Sequence, residues 1–355
     1  MINRIKIEGF KSIKKLELEL KPINILIGAN GVGKSNFISF FKLVNNIYEQ
    51  RLRQYSLKQG VDNLLHFGRK NTEQIYGHLS FHSQNGYSFN LVPANDGTLF
   101  IDNEKSIFVG GGSMPENVNY ALDESNIKSS DSFRDKYLRK HLSSYKIYHF
   151  HDTSVSSSLR NSCNINDNRI LKEDGSNLPA FLYYLKQQHP QNYIRIEKTV
   201  QSVVPDFEKF NLEPDKLDET RIRLVWNEIN FPENYFDATN LSDGSLRFIA
   251  MATLLMQAEL PEIIILDEPE LGLHPFAINK LAAIIKSAAQ KNCQIIVSSQ
   301  SVNLINNFSQ EDIITVDRKD NQSIFNRLEN IDLNEWLADY SIGELWLKNV
   351  IEGQP

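Results

Sequence analysis

Cysteine is scarce in this sequence. There are 2 in 355 residues, Cys163 and Cys293, and neither belongs to a CxxC pair. That spacing offers no disulfide framework and no cysteine-based zinc site. Cys293 opens the apolar run 293–297 and reads as a small buried hydrophobe rather than a nucleophile. A dominant charge is also missing, since 38 Lys and Arg stand against 44 Asp and Glu, a net of −6. That balance argues against constitutive, whole-surface binding to nucleic acid or anionic membrane, while leaving room for a local basic patch. No window reaches about eighteen consecutive apolar residues, so no membrane span is expected. The opening MINRIKIEGFKSI alternates like a strand, holds no apolar h-region and is not read as a signal peptide, which makes the cytoplasm the expected location. Internal repeats and long heptad arrays are absent as well, which excludes a repeat solenoid and a coiled-coil arm.

What is present is an ordinary globular composition, 41% hydrophobic and 23% charged, with a changing periodicity along the chain. Residues 2–7 and 16–20 alternate as two paired strands around the turn Gly9-Phe10-Lys11-Ser12. The run 23–27 is wholly apolar except Asn24, as in a strand buried on both faces. After a glycine-rich turn, Phe37, Phe40, Phe41, Val44 and Ile47 recur at helical spacing. Residues 77–109 read as an antiparallel meander with turns at Gln84-Asn85-Gly86 and Asn95-Asp96-Gly97, and 110–131, beginning Gly110-Gly111-Gly112-Ser113, as a loop. Residues 145–150 and 221–229 are strand candidates, and 161–177 is polar and turn-rich. Two short helices are expected over 179–189 and 193–204, and an apolar-rich one over 246–259. Residues 263–266 and 294–297 are further buried strands, with an amphipathic helix over 275–290 between them. Strands over 313–316 and 323–328 close the sheet, and 333–350 reads as a helical tail with Trp336 and Trp346. The order predicts an α/β fold whose sheet has parallel central strands.

The chemistry begins at residues 28–35, Gly-Ala-Asn-Gly-Val-Gly-Lys-Ser, which fit GxxxxGK[ST]. Glycines let the backbone fold into a nest of N–H groups aimed at phosphate oxygens. The helix that follows adds its N-terminus and dipole. In such a loop Lys34 reaches the β- and γ-phosphates of ATP, and the Ser35 hydroxyl ligates Mg²⁺. A chance glycine-rich turn is the plainer alternative, outweighed here by the buried strand before and the helix after. Downstream, Ile263-Ile264-Ile265-Leu266-Asp267-Glu268 is a buried strand ending in two acids. Asp267 is the candidate Mg²⁺ holder, and Glu268 the candidate general base for the attacking water. Taken alone, the acids could simply face solvent or cap the next helix. Before that strand stands Leu241-Ser242-Asp243-Gly244-Ser245, where Ser242 and the Gly244 backbone could meet an anion at a helix start. The plainer reading of this pentapeptide is an ordinary helix start capped by Asp243 or Ser245.

Together these residues resemble the ABC-type P-loop ATPase heads of the SMC, RecF and OLD group. LSDGS is a variant of that group's LSGGQ signature. Phe10-Lys11-Ser12 matches the segment beside the nucleotide, and Pro269-Glu270-Leu271-Gly272-Leu273-His274-Pro275 matches the D-loop. Within the group the last third, with LSDGSLRF, LDEPELGLHP, VSSQS and DYSIGELW, is most similar to bacterial AAA-family ATPases of about this length. Similar ATPases occur in anti-phage defence modules, usually beside a nuclease or other effector. The resemblance implies a nucleotide site at Lys11, Asn30, Gly31, Val32, Gly33, Lys34, Ser35 and Asn36. It also implies a signature at Ser242, Asp243 and Gly244 that acts in trans, so two chains sandwich ATP head to tail. The implied domains are an ATPase core over 1–50 and 235–330 and an insertion over 51–234. The insertion holds a β-meander (about 75–150) and a compact helical part (about 175–210), and a helical tail follows over 331–355. One departure concerns the switch histidine, whose place reads Ser298-Ser299-Gln300-Ser301. Gln300 can hydrogen-bond the γ-phosphate or the water but carries no charge, so slow turnover is expected. No Q-loop glutamine is readable, and its best locus is His149-Phe150-His151-Asp152.

The expected function is therefore a nucleotide switch, working as a homodimer or higher homo-oligomer with a separate nuclease-like effector. Alternatives are an ATP-bound scaffold with little hydrolysis and a RecF-like DNA-repair head. DNA could meet basic stretches at Arg51, Arg53, Lys58, Arg69 and Lys70, or at Arg134, Lys136, Arg139, Lys140 and His141. Solvated faces are the plainer reading of both. His141, His149, His151 and Asp152 could suggest a metal, but no third ligand is assignable alongside the His149–His151 pair, and polar-core roles are expected. No membrane partner is expected.

Overall fold

Alternating burial builds the first sheet. Ile5, Ile7 and Phe10 are fully buried while Asn3 and Arg4 are exposed. The strand Ile2–Phe10 pairs antiparallel with Ile13–Glu19 on one side and Ile75–Phe81 on the other. The sheet continues through Asn85–Pro93, Leu99–Phe108 and Glu116–Leu122, each antiparallel to the one before. The computed structural model describes residues 1–81, 85–108, 116–154 and 156–353. Gln84 and the Gly110–Ser113 segment, read above as turn and loop, lie outside them. The loop reading of 110–131 needs correction further on. Glu116–Leu122 is a strand, because its backbone finds the open edge of Leu99–Phe108, a pairing that its polar composition does not advertise.

The chain divides into two compact units, Met1–Ile147 with Ser309–Pro355, and Tyr148–Phe308. In the first, the wholly buried strand Ile23–Ile27 runs parallel to Ile313–Lys319, which pairs antiparallel with Gln322–Arg327. Asn24, the polar residue of that strand, is satisfied, since its side-chain oxygen accepts from Lys21 N (2.9 Å) and Arg327 Nη2 (2.6 Å). The helix Lys34–Tyr48 buries Phe37, Phe40, Phe41, Val44 and Ile47, as the spacing predicted. Phe40 packs edge-on to Phe10 (5.6 Å) and stacks with Phe89 (6.0 Å) from the antiparallel sheet, and Phe37 meets Phe325 (5.5 Å). Aromatic contacts on two faces thus fix the helix whose N-terminus ends the phosphate loop.

In the second unit Ile263–Asp267 runs parallel to Gln294–Ser299, with Asp267 opposite Ser298, and the helix Pro275–Ala289 connects them. The helix expected over 246–259 is Asp243–Met256, and the two short helices are Leu178–Gln188 and Pro190–Gln201. The strand expected over 221–229 is two. Arg221–Ile222 pairs with Cys163–Asn164, whereas Val225–Glu228 lies between Phe207–Phe210 and Phe231–Asp237. Burial of Ile222, Leu224 and Trp226 keeps the period of two through the break, so the change of partner is invisible in the pattern. The tail read as helical over 333–350 forms two short helices, Asn334–Leu337 and Ile342–Leu347. Among the described residues no helix is long and apolar enough to cross a membrane.

Candidate functional site

The phosphate loop is held by its neighbours in the first unit. Gly33 has φ +119, and a Cβ there would come within 2.1 Å of Ser323 Oγ. Gly28, at φ +158, would meet Val316 O at 2.3 Å. Both positions admit only glycine. Ser323 Oγ donates to Val32 O (2.5 Å) and shares a hydrogen bond with Ser12 Oγ (2.7 Å), which accepts from Asn36 Nδ2 (2.7 Å). Lys34 is 5% exposed, and its Nζ donates to Gly28 O (2.6 Å) and Ala29 O (2.8 Å). The ammonium therefore rests against its own loop, where an arriving phosphate would compete for it. Asn30, Gly31 and Ser35 are exposed, Val32 is buried, and no side chain caps the helix at Gly33. An uncapped helix start beside exposed Ser35 is chemically suited to an anion and its counter-cation.

Lys11 sits in the turn before the loop at φ +50. Lys11 N donates to Leu64 O (2.9 Å), and His66 Nδ1 bonds Lys11 O (2.7 Å). Burial, and then the charge of Lys42, holds the Lys11 ammonium below its usual pKa. A cleft of about 460 Å³ opens here, within the ~300–1,000 Å³ common for small-molecule sites. Lys11, Ser12, Gly31 and Asn36 line it, with Phe67 and Arg318. Phe67 is 56% exposed at φ +57, a strained backbone for a bulky residue. Sequence reasoning missed Phe67 and Arg318, which belong to no motif.

The acid-ended strand lies in the second unit. Ser298 Oγ donates to Asp267 Oδ1, and Glu268 N donates to Ser298 O (2.9 Å). Glu268 has φ +41, so the candidate base sits on strained backbone, and Gln300 Nε2 donates to its Oε1. The structure thus brings Gln300 and Glu268 together. Glu270, seen in sequence only as part of the D-loop, is buried and accepts from Ser299 Oγ (2.6 Å) and Gln300 N (3.0 Å). Burial is the largest influence on its carboxyl and leaves its pKa raised despite those bonds.

At the signature, Ser242 itself caps the helix, accepting from Ser245 N (3.1 Å), which corrects the expectation of Asp243 or Ser245 as the cap. Asp243 instead pairs with Arg160 Nη2 (2.8 Å), and Arg160 also bonds Leu241 O (3.1 Å) and Ala238 O. Gly244 abuts the D-loop, since a Cβ there would come within 2.3 Å of Gly272 O. Arg247 Nη1 donates to Leu271 O (2.5 Å) from the same helix. Signature and D-loop are therefore packed together and joined by Arg247, while Arg160, which belongs to no motif, braces the signature through Asp243.

Several other candidates make contacts within the chain. Arg53 pairs with Asp96, Arg69 with Asp62 and Lys136 with Asp131, while Arg139 bonds Lys128 O and Ser130 O. His141 is buried against Phe81, with ring centroids 5.0 Å apart. Cys293 is buried, which pushes its thiol up to about 12. Trp346 is buried and bonds Gly353 O, whereas Trp336 is half exposed.

A family model described as "AAA domain, putative AbiEii toxin, Type IV TA system" matches residues 119–306, more than half of the chain. The chain belongs to this family of AAA domains. A second model, "Protein of unknown function (DUF2813)", matches residues 1–74. The Old nuclease of Escherichia phage P2 is 22% identical over 90% of this chain and 60% of its own length. The energy-coupling factor transporter ATP-binding protein EcfA3 of Oenococcus oeni is 24% identical over 36% of this chain and 44% of its own. The chain thus spans 60% or less of these relatives. Among solved structures, an Smc head domain with an extended coiled coil, bound to the C-terminal domain of ScpA from Pyrococcus furiosus, matches with TM-score 0.58. It is 14% identical over 95% of this chain and 99% of that one. The SmcHead bound to the C-winged helix domain of ScpA matches with TM-score 0.55 and 17% identity, over 93% of this chain and 98% of that one. The fold of this AAA-family chain is that of an SMC-like head, a mixed α/β architecture of the P-loop ATPase type.

Proposed function

We propose that the chain binds and hydrolyses ATP with Mg²⁺ as a nucleotide switch. One observation carries this reading: an uncapped helix start after a buried strand, with Lys34 on the loop and Ser35 exposed beside it. In it, Lys34 and the loop N–H groups bind phosphates, Ser35 and Asp267 hold Mg²⁺, and Glu268 takes the proton of the attacking water. Lys11 and Asn36 border the cleft that receives the rest of the nucleotide. Ser242, Asp243 and Gly244 act on the ATP of a second copy, so ATP closes a homodimer and hydrolysis releases it. The reading extends to a regulatory ATPase of an anti-phage module in the cytoplasm, with an effector on a separate chain. Membership of a family described as "putative AbiEii toxin, Type IV TA system" and the likeness to a phage nuclease support that setting.

The contact between Gln300 and Glu268 favours a second reading, an ATP-bound scaffold with little turnover. An amide donating to one oxygen of the candidate base competes there with the attacking water. ATP-binding and phosphate-release assays separate the readings. Lys34→Ala should lose ATP binding. Glu268→Gln should keep binding and lose turnover by about 10²–10⁴-fold. Equal turnover in wild type and Glu268→Gln would reject Glu268 as the base. Binding with turnover below about one per minute in wild type would select the scaffold, since typical enzymes turn over at ~1–10³ per second.

A further inference from the structure

The segment after the strand Tyr145–Tyr148 carries two histidines at positions i and i+2. In extended backbone such residues share a face. His149 and His151 have ring centroids 6.1 Å apart. The third group, which sequence spacing could not supply, comes from the end of the acid strand. One nitrogen from each histidine and one carboxylate oxygen of Asp267 all lie within 4.8 Å of one another, and all three residues are half-buried.

The surrounding bonds hold this arrangement in advance of any ligand. His149 N donates to Glu173 O (2.9 Å). Arg247 pins the next two residues, donating from Nε to Phe150 O (2.8 Å) and from Nη2 to His151 O (2.6 Å). Asp267 is fixed by its strand and by Ser298 Oγ, a bond that leaves its second oxygen for another partner. Asp152 is already engaged, accepting from Ser154 N (3.1 Å) and Ser154 Oγ (2.7 Å). The convergent set is therefore two imidazoles and one carboxylate on supported backbone.

We propose that His149, His151 and Asp267 form a binding site for a transition-metal dication of the Zn²⁺ class. Imidazole nitrogens suit borderline first-row metals, whereas Mg²⁺ demands an octahedron of oxygens. Three protein ligands leave coordination positions open to water or to a phosphate oxygen. The proposal shares Asp267 with the nucleotide reading, in which that carboxylate meets Mg²⁺ beside bound ATP, and assigns it the transition-metal dication in the nucleotide-free chain. It stands apart from that reading in one respect, since all three ligands lie in the unit Tyr148–Phe308 and need no nucleotide.

Equilibrium dialysis against Zn²⁺, without ATP and with millimolar Mg²⁺ present, tests it on the full chain. The expected result is about one Zn²⁺ per chain, with affinity reduced roughly 10–100-fold or more in His149→Gln and in His151→Gln. Co²⁺ bound to the wild-type chain should show visible ligand-field absorption, so the test does not depend on the variants folding. Lys34→Ala, which tests the nucleotide reading, should bind Zn²⁺ like wild type. Zn²⁺ binding in a chain that binds no ATP would sink the nucleotide reading and keep this one. No stoichiometric Zn²⁺, displacement by millimolar Mg²⁺, or equal affinity in folded histidine variants would overturn the metal site.

Discussion

At the scale of single residues, Glu270 links the fold to pH. Its carboxyl is buried between Ser299 Oγ and Gln300 N, and burial raises its pKa above the ordinary 4.5. Between those two values the folded chain holds more proton at this site than the unfolded chain. Stability contributed there is present below about pH 4.5 and falls as pH rises through the folded pKa. Thermal melts across pH should show that slope in wild type and lose it in Glu270→Gln. An unchanged slope would mean that another group carries it. Glu270 was readable only as a letter of a D-loop, because burial is a property of the assembled unit. Lys34, Ser35, Asp267 and Glu268 were readable because each sits where a local strand end or loop demands it. Phe67 was not, since neither its exposure nor its strained backbone leaves a mark in composition or spacing.

At the scale of elements, the sequence showed the strand, glycine loop and helix around Lys34 almost to the residue, since that geometry is made by neighbours in the chain. The signature was half legible. Its pentapeptide stood out, but its support comes from Arg160, 83 residues before Asp243, and from Gly272 across the D-loop. Gly244→Ala should force the signature helix and D-loop apart, because its Cβ would enter the space of Gly272 O. The expected cost is about 1–3 kcal/mol in denaturant unfolding, with ATP turnover lost as well. Wild-type stability in that variant would show that the two elements do not pack as described. Glu116–Leu122 was misread because a polar edge strand carries no apolar alternation, and the divided strand at 221–228 because a switch of partner leaves the local alternation undisturbed.

At the scale of the whole molecule, the proposal that remains to be measured is action between copies. In the proposed switch each chain contributes Lys34 to its own ATP and Ser242 to its partner's. The decisive measurement is the solution mass of Glu268→Gln by light scattering, with and without ATP and Mg²⁺, since this variant should hold ATP without cleaving it. The account predicts that ATP doubles the mass and that adding Ser242→Arg abolishes the doubling. A chain that binds ATP yet keeps the mass of a monomer would contradict it.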